Sequence, residues 1–73
     1  MAIIDVKTVI TGNVWQILKK VGETVEEDEA IIMLESMKME IPVTAPEDGT
    51  VTEILVKEED TVAEGSVVAR IEA

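Results

Sequence analysis

Lys38 stands in the string Glu35-Ser36-Met37-Lys38-Met39-Glu40, where residue types and spacing together offer chemistry. Two methionines flank one lysine. Methionine on a surface turn costs solubility and supplies a soft, adaptable contact. Nothing in the string would desolvate the amine, as a Schiff-base lysine requires. An ordinary solvated lysine is charged at neutral pH. It becomes an amide only when another protein removes the proton and delivers an activated acyl donor. The rest of the catalytic inventory is thin. The chain has no histidine and no cysteine, which removes Ser-His and Cys-His pairs, thiolate metal sites and disulfide staples. The acidic run Glu26-Glu27-Asp28-Glu29 lacks the spaced oxygens and turn glycine of a calcium loop, so it reads as a solvated loop.

What must position this lysine is small. Seventy-three residues make one domain, residues 1–73, with little surface to bury. A net charge of −10, from 6 Lys+Arg and 16 Asp+Glu, argues against nucleic acid or an anionic membrane as partner. A hydrophobic fraction of 47% supports a folded core. Met1-Ala2-Ile3-Ile4-Asp5 has neither the basic start nor the apolar stretch of a signal peptide, and the expected location is cytoplasmic.

The apolar residues fall in short, β-branched clusters: Ile3-Ile4-Val6, Val14-Trp15-Ile17-Leu18, Ala30 to Leu34, Ile41-Val43, Val51 to Val56 and Val67 to Ile71. Turn signals separate them at Thr11-Gly12-Asn13, Pro46 to Gly49 and Glu64-Gly65-Ser66. This is the spacing of an all-β sandwich or barrel. Val21 to Leu34 could be considered for a helix, but Ile31-Ile32 builds no 3.6-residue stripe, and the segment is assigned β. Trp15 is expected in core or hairpin packing, and Gly12 and Gly49 in turns.

Sliding the chain by 37 positions, Gly12 onto Gly49, aligns residues 12–35 with 49–72 without a gap and with nine identities. The glycines, Val14/Val51, Thr24/Thr61, Val25/Val62 and Glu35/Glu72 are among them. Two copies are too few for a solenoid; two half-domains sharing one core around a pseudo-two-fold axis satisfy the repeat. The inserted segment 36–48 is not required by the scaffold, so function is expected there. Pairing residues whose numbers sum to 75 puts Leu34 opposite Ile41, Ile32 opposite Val43 and Ala30 opposite Ala45. One face of a hairpin is then apolar, and a one-residue slip would mix the faces. Its tip is Met37-Lys38, with Glu35 opposite Glu40 and Met39 open to two readings, a recognition contact or an inward position beside Ile41. Like charges face to face are unfavourable, and Met-Lys is not the Asn-Gly or Asp-Gly of a stable tight turn.

The string around Lys38, the repeat, and the segments Gly12-Asn13-Val14-Trp15 and Ala45-Pro46-Glu47-Asp48-Gly49-Thr50-Val51 together resemble the biotinyl/lipoyl attachment family over essentially the whole chain. The small size and Thr11-Gly12-Asn13 look most like its single-domain biotin/lipoyl attachment proteins. The resemblance implies a flattened eight-stranded β barrel or sandwich of two symmetric halves, a barrel-sandwich hybrid. It implies covalent biotin on Lys38, with Met37, Met39, Glu35 and Ser36 as the recognition residues around it. The function so implied is a biotin carboxyl carrier, biotinylated by a biotin protein ligase and shuttling carboxybiotin between biotin carboxylase and carboxyltransferase sites. No catalytic group of its own is implied. Lipoyl domains commonly carry an Asp-Lys-Ala string instead, so the two methionines favour biotin; the alternatives are a lipoyl carrier for acyl or aminomethyl transfer and a non-acylated interaction module. Two departures fall in loops. Glu59 stands where many relatives have glycine, and Asp28 stands where the second half has Gly65.

Overall fold

Every β-branched cluster forms a strand in the computed structural model, which describes residues 2–73. Eight strands follow in order: β1 (Ile3–Lys7), β2 (Gly12–Ile17), β3 (Thr24–Val25), β4 (Ala30–Ser36), β5 (Met39–Thr44), β6 (Gly49–Ile54), β7 (Thr61–Val62) and β8 (Val67–Glu72). No helix occurs among the described residues. The strands make two antiparallel sheets, β1-β8-β6-β3 and β5-β4-β2-β7. The offset of 37 carries β2, β3 and β4 onto β6, β7 and β8, and residues 3–7 of β1 onto 40–44 of β5. It thereby converts one sheet order into the other. Each half also lends its two-residue strand to the opposite sheet, β3 pairing with β6 and β7 with β2. That reciprocity is the pseudo-two-fold relation expected from the repeat.

The inner faces close one core in a body of 36 × 19 × 19 Å. Val14 and Val51, Leu34 and Ile71, Val25 and Val62, and Val43 and Val6 are buried as repeat-related pairs. Each buried aliphatic side chain contributes about 1.5–3 kcal/mol, and the repeat contributes every such gain twice. The hairpin departs from its expected register at one place. Pairs from Glu35↔Glu40 to Ile32↔Val43 sum to 75, but Ala30 pairs with Thr44 instead of Ala45. A bulge at Ile31 absorbs the difference. Strict alternation would turn Ile31 outward; the extra residue lets Ile31 and Ile32 both reach full burial, a larger gain than one continued ladder step. The same irregularity recurs in β8, where Val68 and Ala69 are both buried and β1 shifts register between Val6 and Lys7.

The two loop departures keep the backbone that glycine would have supplied. Asp28 has φ 69° and its repeat mate Gly65 85°; Glu59 has 77° and its mate Gly22 98°. Gly12 and Gly49 are not turn residues but begin β2 and β6. Their lack of a side chain serves close approach: a Cβ at Gly49 would lie 2.5 Å from the Glu72 carbonyl oxygen, and one at Gly12 2.9 Å from that of Glu35.

Candidate functional site

Hairpin β4–β5 carries Lys38 away from the body. The core along it ends at the pair Leu34–Ile41, and three further residues at about 3.3 Å each set the tip roughly 10 Å beyond. Ser36 and Met39 form the last pair, leaving Met37 and Lys38 as a two-residue turn. Both take left-handed backbone, φ 51° and 65°, as a type I′ turn requires at its two central positions. This conformation suits Asn-Gly and costs ordinary residues of the order of 1–2 kcal/mol each. A Met-Lys dipeptide there sacrifices stability to present its side chains.

Met37 is 91% exposed and Met39 61% exposed, and Lys38 is exposed between them. Met39 therefore does not turn inward. It shares the face of Ile41, but lies past the edge of the core with nothing to pack on. Glu35 and Glu40 stand opposite each other on the outer face, both exposed, and Ser36 is half-buried. Among the described residues Lys38 enters no ion pair, whereas Lys19 reaches Glu29 at 2.8 Å and Arg70 reaches Asp5 at 2.9 Å and Glu53 at 3.3 Å. The hydrogen bond between Lys19 and Glu29 raises the pKa of the lysine and lowers that of the carboxylate. The bonds from Asp5 and Glu53 likewise hold the Arg70 guanidinium charged. Lys7, Lys20 and Lys57 share with Lys38 the lack of an ion pair among the described residues; what sets Lys38 apart is its place on the hairpin turn.

The base of the hairpin is braced by β2. Asn13 pairs with Glu35, Gly12 allows the β2 backbone to pass close to Glu35 and Ser36, and the Thr61 hydroxyl donates to Asn13 Oδ1 at 2.8 Å. Trp15, expected in packing, is instead 47% exposed beside a bulge where Trp15 and Gln16 together face Met33. Packing was the simplest expectation for a lone aromatic, but Val14 beside it takes the inner face and Trp15 the outer.

At the far end of the body, β1 and β8 repeat the same hairpin without a tip. Ala2 and Ala73 exchange two backbone hydrogen bonds of 3.0 Å at the positions equivalent to Met39 and Ser36. An open depression near this end is lined by Lys19, Glu29, Gly49 and Glu72 among others, and Lys38 takes no part in it. No group of acidic side chains suited to a metal ion occurs among the described residues. An amine on a rigid, protruding turn, with no cavity around it, can be entered into another protein's active site and cannot by itself enclose a substrate.

Known proteins with this sequence and shape agree. A family model described as biotin-requiring enzyme matches residues 3–71. The biotin/lipoyl attachment protein of Bacillus subtilis is 42% identical over 62 residues, 85% of either chain. Among solved structures, Kluyveromyces lactis urea carboxylase superposes with a TM-score of 0.93 and 35% identity over 99% of this chain, which spans only 6% of that enzyme. The lipoyl domain of the Azotobacter vinelandii 2-oxoglutarate dehydrogenase complex superposes with a TM-score of 0.75 and 34% identity, over 96% of each chain. The chain belongs to the biotin/lipoyl attachment family and is one of its small carrier domains, not itself catalytic.

Proposed function

We propose that this domain is a biotin carboxyl carrier, modified at Lys38 and acting in the cytoplasm. The observation that carries the reading is the tip itself: a solvated lysine between two exposed methionines on a strained turn. The group fits the site, because amide formation needs only a free, accessible amine. A biotin protein ligase supplies the activated biotinyl donor; the Lys38 nitrogen loses a proton, attacks the acyl carbon and displaces the nucleotide. The formal charge then falls by one, from −10 to −11. Biotin, when bound, accepts a carboxyl group at a carboxylase site and gives it up at a carboxyltransferase site.

This chain's own residues do the remaining work. The braced hairpin fixes the direction in which the carried group leaves, and tethering replaces bulk concentration with an effective one set by reach. The methionines offer apolar contact to an enclosing active site. The acidic surface steers the domain to basic docking surfaces, with association that slows as salt rises.

Intact mass after expression with a biotin ligase, and in parallel with a lipoate ligase, tests the reading. The expected product carries one biotin, and Lys38→Ala carries none while keeping its β-type circular dichroism. Biotin on the Lys38→Ala variant would move the site to Lys7, Lys19, Lys20 or Lys57. Lipoate in place of biotin would favour the second member of the family's pair, and neither would leave a non-acylated interaction module.

A further inference from the structure

The repeat makes the two outer sheet faces directly comparable, and they differ along one row. In the β1-β8-β6-β3 sheet that row is Asp5–Arg70–Glu53, beside the bulge residue Thr52. Arg70 donates to both carboxylates, and the Thr52 hydroxyl donates to the Arg70 carbonyl at 3.2 Å. Polar groups there satisfy one another, which closes the face to partners. The offset of 37 converts this row into Pro42–Met33–Gln16, beside the bulge residue Trp15. Every charged member has been replaced by an uncharged one, and the small threonine by the chain's single tryptophan. Trp15 and Pro42 are exposed and Met33 is half-buried. The core beneath the two rows is aliphatic in both halves, with Val14 matched by Val51 and Leu34 by Ile71, although Ile32 stands against Ala69.

This apolar row lies on the same strands as the tip. Between them stands the pair Glu35–Glu40, two exposed carboxylates with no ion-pair partner among the described residues. From tip to base the face thus presents the Met37–Lys38 turn, then negative charge, then Trp15, Met33 and Pro42. We infer that this face is the docking surface for the ligase that acylates Lys38, through an apolar patch on the ligase next to basic side chains that meet Glu35 and Glu40. The inference rests on the proposed carrier function. The ligase is the occupant because it alone must recognise the domain before any cofactor is attached, so its affinity has to come from protein surface. Carboxylase and transferase sites can hold the biotin ring itself. Large aromatic side chains with charge at the rim are the usual anchors of such an interface.

The other sheet supplies a replacement that already folds in this scaffold. The variant Trp15→Thr, Gln16→Glu, Met33→Arg, Pro42→Asp copies the closed row, and Trp15→Thr alone is its milder companion. Initial biotinylation rates as a function of carrier concentration should show KM raised about tenfold or more in both, the usual cost of losing an anchor, with kcat nearly unchanged. The opposite-face control Asp5→Asn, Glu53→Gln, Arg70→Met should keep the parent KM. Independently, 5-fluorotryptophan at Trp15 gives one fluorine resonance, which should shift when ligase binds a Lys38→Ala domain. An unchanged KM in Trp15→Thr, an equal loss in the opposite-face control, or an unmoved resonance would overturn the docking surface. A parent that takes up no biotin would overturn the carrier reading and the docking surface with it, so the two failures are told apart.

Discussion

The Met37–Lys38 turn should be a measurable weakness in the fold. Replacing it by the turn's preferred pair, Met37→Asn with Lys38→Gly, removes two ordinary residues from left-handed backbone at φ 51° and 65°. Glycine at position 38 recovers about 1–2 kcal/mol of conformational strain and returns about 0.4–1 kcal/mol through the greater freedom of the unfolded chain. Asparagine tolerates the conformation better than methionine, which adds a few tenths of a kcal/mol. Little packing is lost, because Met37 is 91% exposed. The net expectation is a gain of about 1 kcal/mol, and for a domain of this size that raises the thermal midpoint by about 4–8 °C. Circular dichroism melts and urea titrations of parent and variant measure it. A midpoint that stays or falls would refute the claim that the tip is held under strain and that stability is given up there for presentation.

Exchanging the two residues (Met37→Lys with Lys38→Met) keeps composition and backbone demand but moves the amine by about 3.8 Å along the chain; the midpoint should hold and the initial biotinylation rate should drop about 10²-fold or more, since near-attack placement is sensitive to about 1 Å. Gly49→Ala should destabilise the domain by about 2 kcal/mol or more in urea titrations, because its Cβ meets the Glu72 backbone oxygen at 2.5 Å, whereas Gly65→Ala, with open space but φ 85°, should cost only about 1 kcal/mol. Glu29→Gln should lower the midpoint at neutral pH and lose its effect in acid: a carboxylate whose folded pKa is lowered stabilises above its unfolded value, near 4.3, and that contribution is lost as pH falls through the folded value. The raised pKa of Lys19 closes the difference at the alkaline end as well, as pH climbs through the folded lysine value.

Much of this architecture was legible in the sequence because the repeat states it twice. Val14 with Val51 and Leu34 with Ile71 mark inner faces independently, and the hairpin register from Glu35↔Glu40 to Ile32↔Val43 follows from alternation alone. The misplacements have separate causes. Bulges at Ile31 and Trp15 break the period of two on which strand reading depends. The bulge at Ile31 buried a residue that alternation turns outward, whereas Trp15 lies outward as alternation from the buried Val14 requires and was misjudged on its aromatic character. At Met39 alternation gave the face correctly, but not where the core stops. Nor could spacing distinguish Gly12 and Gly49 as close-approach residues from turn glycines, since only the neighbouring strand reveals the carbonyl above them.

Symmetry also separates the residues that hold the domain together from those that give it something to do. Positions whose repeat mates agree in character, such as Val14/Val51, Val25/Val62 and Val6/Val43, are buried and would serve any domain of this shape. Two disagreements fall on the sheet that carries the lysine. One is the tip, where Ser36 and Met39 enclose a Met-Lys turn while Ala73 and Ala2 merely close the sheet. The other is the outer row, where Trp15, Met33 and Pro42 replace Thr52, Arg70 and Asp5. Both lie on the same sheet, and each is unfavourable to folding: backbone strain at the one, apolar surface in water at the other. At the outer row the duplicated scaffold has a polar solution ready, so retaining the apolar residues needs a benefit outside the fold. On the proposed function, an acylable amine and a surface for the enzyme that acylates it together supply that benefit.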